Sequence, residues 1–313
     1  MAAILVNIGL LMPAPSGVSV AQASFPSIEI KAKSFGMSQM ASDQEIDIKP
    51  AQGPADGAIL HSKLNYDLDA VLKGQGDVPR IMLASLPDDL FRLRESHKRK
   101  TLFLKTVLPL VLHVNEQILD DRARLQALVA QQKSEQTLDA LDRLWLAVMA
   151  QRYGTRRGDI EAILNRHDVV PPSLALAQAA TESAWGSSRF VREGNAMFGQ
   201  WTFSASHPGI VPSKRQQGKS HRVRAFGSLY ESIHSYMTNL NKHRAYQEFR
   251  DLRASLRSEN KPLDGMRLAG TLYRYSERGA AYVAELRAII SSNELRLVDG
   301  AQLSPTGDIK PLI

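Results

Sequence analysis

Cysteine is absent from the 313-residue chain, which excludes a disulfide framework, a thiolate zinc site, an iron–sulfur cluster and a cysteine nucleophile. The eight histidines, His61, His97, His113, His167, His207, His221, His234 and His243, show no His-Glu-x-x-His spacing. No metal and no cofactor is therefore expected, and solvated or capping roles suit these rings. Zinc-finger spacing, a basic region running into heptads and an aromatic-rich ribonucleoprotein motif are also missing, so no nucleic-acid partner is expected. Charged side chains are missing from residues 1–23, and acidic ones from the stretch between Glu193 and Glu231.

What is present has ordinary globular proportions, 43% hydrophobic and 23% charged residues, which rules out a disordered, collagen-like or polytopic membrane chain. The charge is uneven. Ser24 to Val78 carries 5 bases and 8 acids, so the remainder from Pro79 carries +10 of the total +7. Such a domain is attracted to polyanions, among them nucleic acid, anionic lipid and acidic wall polymers.

Ala2 to Met12 is an apolar run broken by Asn7 and Gly9, followed by Pro13, Pro15 and the small-x-small pattern Ala21-Gln22-Ala23. It reads as a secretory signal over 1–23, with only the amino terminus as positive charge, and as too short for a spanning helix. Residues 24–86, punctuated by Pro50, Gly53, Pro54, Gly57, Gly74 and Gly76, read as a low-complexity tether. Leu86-Pro87-Asp88-Asp89 then suits a helix start. The expected division is a helical N-terminal subdomain over 87–156, a catalytic domain over 157–298 and a tail over 299–313.

Helical periodicity dominates from there. The apolar run Leu102 to Leu112 contains Pro109 and continues into Glu116 to Gln132, which predicts one long kinked helix rather than a membrane span. Leu138, Leu141, Trp145 and Val148 predict a buried stripe on a helix over Gln136 to Gln151. Asp159 suits the cap of a short helix through Leu164, and Pro171-Pro172 opens the next. Ser228 and Glu231 fit a capping box before Leu229 to Leu240, with further helical stretches over Ala245 to Leu256, Leu263 to Leu272 and Ala280 to Ile290. Gly209 to Arg224 suits a small hairpin. The class is mainly α with a minor β element.

Glu182 carries the strongest chemical signal, because it lies in a small-residue apolar helix, Ser173 to Gly186, just before a glycine stop. Desolvation raises a carboxyl pKa, as a general acid working near neutrality requires, although an arginine-paired structural glutamate fits the same pattern. Glu193 to Trp201 is a Gly-punctuated loop whose Asn195, Phe198 and Trp201 suit hydrogen bonding and stacking on a sugar, or a turn capping the core. Tyr273, Tyr275 and Tyr282 gather where one helix turns into the next, with Tyr282 also on the buried stripe of Leu286, Ile289 and Ile290. Arg92, Arg94, Lys98, Arg99 and Lys100 read as a solvated face. Lys214, Arg215, Lys219, Arg222 and Arg224 make the hairpin stretch basic.

Ala177-Gln-Ala-Ala-Thr-Glu-Ser-Ala-Trp-Gly186 with Gly194-Asn-Ala-Met-Phe-Gly199 resembles the bacterial glucosaminidase family that includes the flagellar peptidoglycan hydrolase domain. Arg157-Gly-Asp-Ile-Glu161, Val170-Pro-Pro-Ser-Leu-Ala-Leu-Ala177, Gly209-Ile-Val-Pro212 and Tyr275-Ser-Glu-Arg-Gly279 are similar to its Bax branch. The likeness spans Pro87 to Leu297. It implies a lysozyme-like α fold with a small β lobe that cleaves the β-1,4 bond after N-acetylglucosamine in peptidoglycan. The helix glutamate, here Glu182, would be the general acid, with Ser183 beside it. The family's active-site tyrosine maps onto Tyr282, with Tyr275 as second candidate.

Many family members have a second carboxylate in the β lobe, whereas this chain has none between Glu193 and Glu231. Two-carboxylate hydrolysis is therefore unsupported. The expectation is an exported, periplasmic glycosidase in which Glu182 protonates the leaving oxygen while the substrate's acetamido group, or a water held by Tyr282, attacks. The alternatives are a lytic transglycosylase on the same fold and a non-catalytic wall-binding protein. The expected partner is the peptidoglycan glycan strand, with no membrane span in the mature form.

Overall fold

A computed structural model of the chain describes residues 64–305, apart from 65, 205 and 214–219. The expected signal, most of the expected tether, His61, and Lys214, Arg215 and Lys219 lie outside the described residues. The described part is mainly helical with one small antiparallel sheet, in keeping with a lysozyme-like α fold carrying a β lobe.

Two short helices, α1 (Leu68–Leu72) and α2 (Asp88–Arg92), lead into the long α3 (Ser96–Lys133). Then come α4 (Ala140–Tyr153), α5 (Ile160–Arg166), α6 (Pro172–Ser183) and α7 (Arg189–Gly194). The β lobe follows, with β1 (Trp201–Thr202), β2 (Gly209–Ile210) and β3 (Arg222–Arg224) in the order β1-β3-β2. Trp201 pairs with Val223 and Gly209 with Arg224. The expected pairing across Gly209 to Arg224 is there, and β1 is an additional strand, too short to show a period of two. The chain closes with α8 (Leu229–Lys242), α9 (Gln247–Ser258), α10 (Gly265–Ala269), α11 (Ala280–Ser292) and a 3-10 segment, Leu295–Gly300.

Helix α3 is long and apolar enough to cross a membrane by length and composition, yet 72% of its most apolar window is buried inside the protein. It packs against α6 and α8 through residues such as Phe103, Val107, Leu110, Val111 and Val114, which makes it a core helix. Pro109 lies inside it and has no N–H for the carbonyl of Lys105, four residues back. The Tyr66 hydroxyl donates to that carbonyl instead, at 3.3 Å.

That contact bears on a corrected boundary. Residues 66–86 are not tether: Leu68, Val71, Val78, Met82 and Leu86 are buried in the main core, and Val78 bridges to Leu303. Nor is the segment from Asp299 only a tail, because Asp299 accepts hydrogen bonds from the Ser173 N–H and hydroxyl at 2.8 Å and from the Gly265 N–H at 3.2 Å. It thereby supplies a distant cap for α6, whose first turn has no capping side chain of its own. Low hydrophobic periodicity concealed both contributions, since isolated apolar residues in irregular backbone carry no period.

A second correction concerns α4. Leu141 and Val148 are exposed, and the buried face is Leu146, Met149, Ala150 and Tyr153, packed with Leu125, Leu128, Ile160 and Ile163 in a separate small core. The position of α3 and α5 determines which face of α4 turns inward, and one helix's periodicity does not report it.

At the centre lies α6, contacted by α3, α10, α11 and the closing 3-10 segment. Ala175, Ala177, Ala179 and Ala180 are all buried, and such short side chains let neighbours approach from several sides. At Gly265 a Cβ would lie 2.1 Å from Ser173 Oγ, so α10 can pack there only without a side chain.

Candidate active site

Helix α6 ends abruptly. Ala184, Trp185 and Gly186 are all left-handed, at φ 51°, 56° and 80°, a run that two non-glycine residues adopt only under constraint. The Ser183 hydroxyl holds the turn, donating to the Ala179 carbonyl at 2.5 Å and accepting from the Gly186 N–H at 2.9 Å. Gly186 has no room for a Cβ, which would fall 2.7 Å from Leu86 and 2.8 Å from Leu90. Glu182 is thus fixed in the last turn of α6, near the negative end of the helix dipole, where an ionised carboxylate is disfavoured.

The Glu182 side chain is half-buried. Its Oε1 is enclosed without a hydrogen-bond partner among the described residues. A Cβ at Gly199 would come within 3.8 Å of Oε2, and Gly199 has φ +59°, so the loop after Asn195 runs close beside the carboxyl. Burial pushes the Glu182 pKa up to about 7, partly offset by the Tyr282 hydroxyl and the Arg278 charge and reinforced by Glu285. Arg278 is ion-paired with Glu285. No ion pair to Glu182 exists among the described residues, so the arginine-paired alternative does not apply.

Two residues that the sequence reading left without a role complete the arrangement. Gln178 lies one turn before Glu182 on the same face of α6. Its Oε1 accepts from the Tyr236 hydroxyl at 2.6 Å, and its Nε2 donates to the Tyr282 hydroxyl at 2.9 Å. An amide four residues before the acid, in a run of small and apolar residues, is a local signal for Gln178, whereas nothing local marks Tyr236. Burial raises the pKa of Tyr236, Tyr275 and Tyr282 well above the ordinary phenol value, so all three stay protonated.

The remaining candidates divide by position. Tyr282 is fully buried and stacks on Tyr275, with centroids 5.5 Å apart and rings 2° from parallel. Tyr275 is also buried, and its hydroxyl has no partner among the described residues. Phe198 is buried and stacks on Tyr236 at 3.8 Å. The Asn195 side chain, buried in a left-handed turn at φ 49°, reaches the carbonyls of Phe226 and Gly227 at 3.4 Å. Ser183, Asn195 and Phe198 therefore shape the site from beneath rather than face outward. Trp201 differs: it is half-buried on β1, stacked on His221 at 4.2 Å and edge-on to the exposed Phe203. This leaves an aromatic surface on the β lobe.

No second carboxylate comes from the β lobe. Glu231 is committed to capping α8, with its Oε2 accepting from the Gly227 N–H at 2.9 Å and its own N–H donating to Ser228 Oγ. Arg222 is likewise engaged within the lobe, donating to the carbonyls of Ser204 and His207.

Comparison with known proteins shows the family. Residues 158–295 match the family model described as glucosaminidase, mannosyl-glycoprotein endo-beta-N-acetylglucosaminidase. The chain is 33% identical over 220 residues to Protein bax of Escherichia coli (strain K12), covering 67% of this chain and 75% of that protein. No solved structure matches the chain.

Proposed function

Because the chain belongs to the glucosaminidase family of glycoside hydrolases, we propose that it is an exported peptidoglycan hydrolase that cleaves the β-1,4 bond after N-acetylglucosamine, with Glu182 as general acid. The observation that carries this reading is a carboxyl whose Oε1 is enclosed, with no ion-pair partner among the described residues and its pKa pushed up to about 7. Such a group holds its proton near neutrality and can give it to the glycosidic oxygen as the C1–O bond breaks.

Tyr282 faces Glu182 from α11 and offsets the raised pKa by hydrogen bonding. A phenol so placed stabilises the carboxylate that remains once the proton has left. With Glu231 used as a helix cap and Glu285 held by Arg278, the electrophilic C1 is attacked by the substrate's acetamido oxygen or by a water. In the first case water then opens the cyclic intermediate. Trp201 offers the ring on which a sugar of the strand stacks.

The test is digestion of purified sacculi by the protein from Ser24 to Ile313, beside E182Q, with new glycan ends read by borohydride reduction and mass spectrometry. Reducible N-acetylglucosamine ends from the native protein alone are the expected result. Anhydro-muramyl ends would make it a lytic transglycosylase, and unchanged glycan with sugar binding intact would make it a wall-binding protein.

A further inference from the structure

Tyr236, Gln178 and Tyr282, on three different helices, form a hydrogen-bonded line of buried polar groups that ends beside the Glu182 carboxyl. Gln178 is fully buried in a helix otherwise made of small and apolar residues, a position that costs stability unless the amide is paired. Both ends of its amide are paired, and the pairing has a direction. In the structure the Tyr236 hydroxyl donates to the amide oxygen and the amide nitrogen donates to Tyr282. The Tyr282 oxygen is then an acceptor from Gln178, so its own proton must point elsewhere, and Glu182 is the neighbour that can take it.

From this direction of donation we infer that Gln178, itself held by Tyr236, is the positioning residue that fixes the Tyr282 hydroxyl proton onto Glu182. The flanking packing supports a fixed rather than a rotating arrangement. The Tyr236 ring lies 4° from parallel on Phe198, one residue before the loop position that borders Glu182, and the Tyr282 ring lies 2° from parallel on Tyr275. Donors in a chain also strengthen one another, so a phenol that accepts from an amide donates more strongly to a carboxylate. The groups around Glu182 are then accounted for. Tyr282, Arg278 and Glu285 act on it from α11 and the turn before that helix. Tyr236 on α8, Tyr246 and Tyr275 face it as neutral phenols.

The inference rests on the assignment of Glu182 and Tyr282 as the acid and its donor, and its test separates the two. The Glu182 carboxyl is followed by 13C NMR through a pH titration of the full chain, its signal identified by its loss in E182Q. The measurement is repeated in Y282F, Q178M, the double variant and Y236F, which preserves ring packing. Loss of the donor in Y282F moves the titration up by about one pH unit, the scale of one hydrogen bond to a charged group. Q178M and Y236F move it the same way by less, and the double variant moves no further than Y282F alone. An unmoved titration in Q178M and Y236F, or a Q178M effect that adds in full to that of Y282F, overturns the inference. Should Q178M not fold, Y236F decides alone by the same criterion. Hydrolysis that survives in E182Q while these titrations shift as expected removes the acid assignment and leaves the positioning role standing.

Discussion

Two carboxylates flank helix α6, and their surroundings drive them in opposite directions. Asp168, four residues before the helix, is 3% exposed. Arg257 at 2.9 Å, Arg122 at 3.2 Å and Arg253 at 3.8 Å surround it. Burial alone would raise its pKa, but these guanidiniums outweigh burial and hold the group below its ordinary value. Glu182, in the last turn, has phenols and a helix C-terminus where Asp168 has arginines, and burial there prevails. The first carboxylate is held charged and ties loop, α3 and α9 together; burial favours the protonated form of the second, as the proposed general acid requires. Burial therefore says little about role until the neighbours are counted.

Replacing each acid by its amide should separate them. E182Q should lower hydrolysis of sacculi by about 10²- to 10⁴-fold, the usual contribution of a general acid, measured as released reducing ends. D168N should leave three guanidiniums around an uncharged group and cost about 3–5 kcal/mol of stability, measured by urea unfolding. In stability the sign should reverse at the other site. Glu182 has a folded-state pKa of about 7 against an ordinary 4.5, so the folded protein binds the extra proton between those values and stability declines as pH rises through that window. E182Q should therefore be more stable than the native protein at pH 8, by about 1–3 kcal/mol, and the gain should vanish below pH 4.5. Asp168, with a depressed pKa, gives stability that is present above its ordinary value near 3.8 and lost as pH falls further. The smallest effect belongs to E285Q, which frees Arg278 to face Glu182. It should keep hydrolysis at the same order while moving its alkaline limb slightly down, and abolished hydrolysis would make Glu285 a second catalytic carboxylate.

How much of this the sequence discloses follows from the range of the interactions. Glu182 stands out locally, because a carboxylate among alanines before a glycine is anomalous within its own helix. The Ser228 cap of α8 and the Asp159 cap of α5 are equally local and read directly. Asp168 passes unnoticed in the loop His167-Asp168-Val169, since its arginines come from α3 and α9. Tyr236 is hidden for the same reason, its meaning depending on Gln178 some 58 residues away. The packing of residues 66–86 on α3 and of 298–303 on α6 is another long-range fact, carried by single side chains such as Tyr66 and Asp299. Periodicity locates helices, but it does not tell which face of α4 turns inward or which residues meet across the core.

The most direct test of Glu182 as the proton-holding member of the pair is the pH dependence of kcat/KM for glycan hydrolysis from about pH 3 to 9. Activity should be retained on the acid side of neutrality and fall with an apparent pKa near 7 as Glu182 loses its proton. A rate that falls instead around pH 4.5, or that stays level through pH 9, would contradict it.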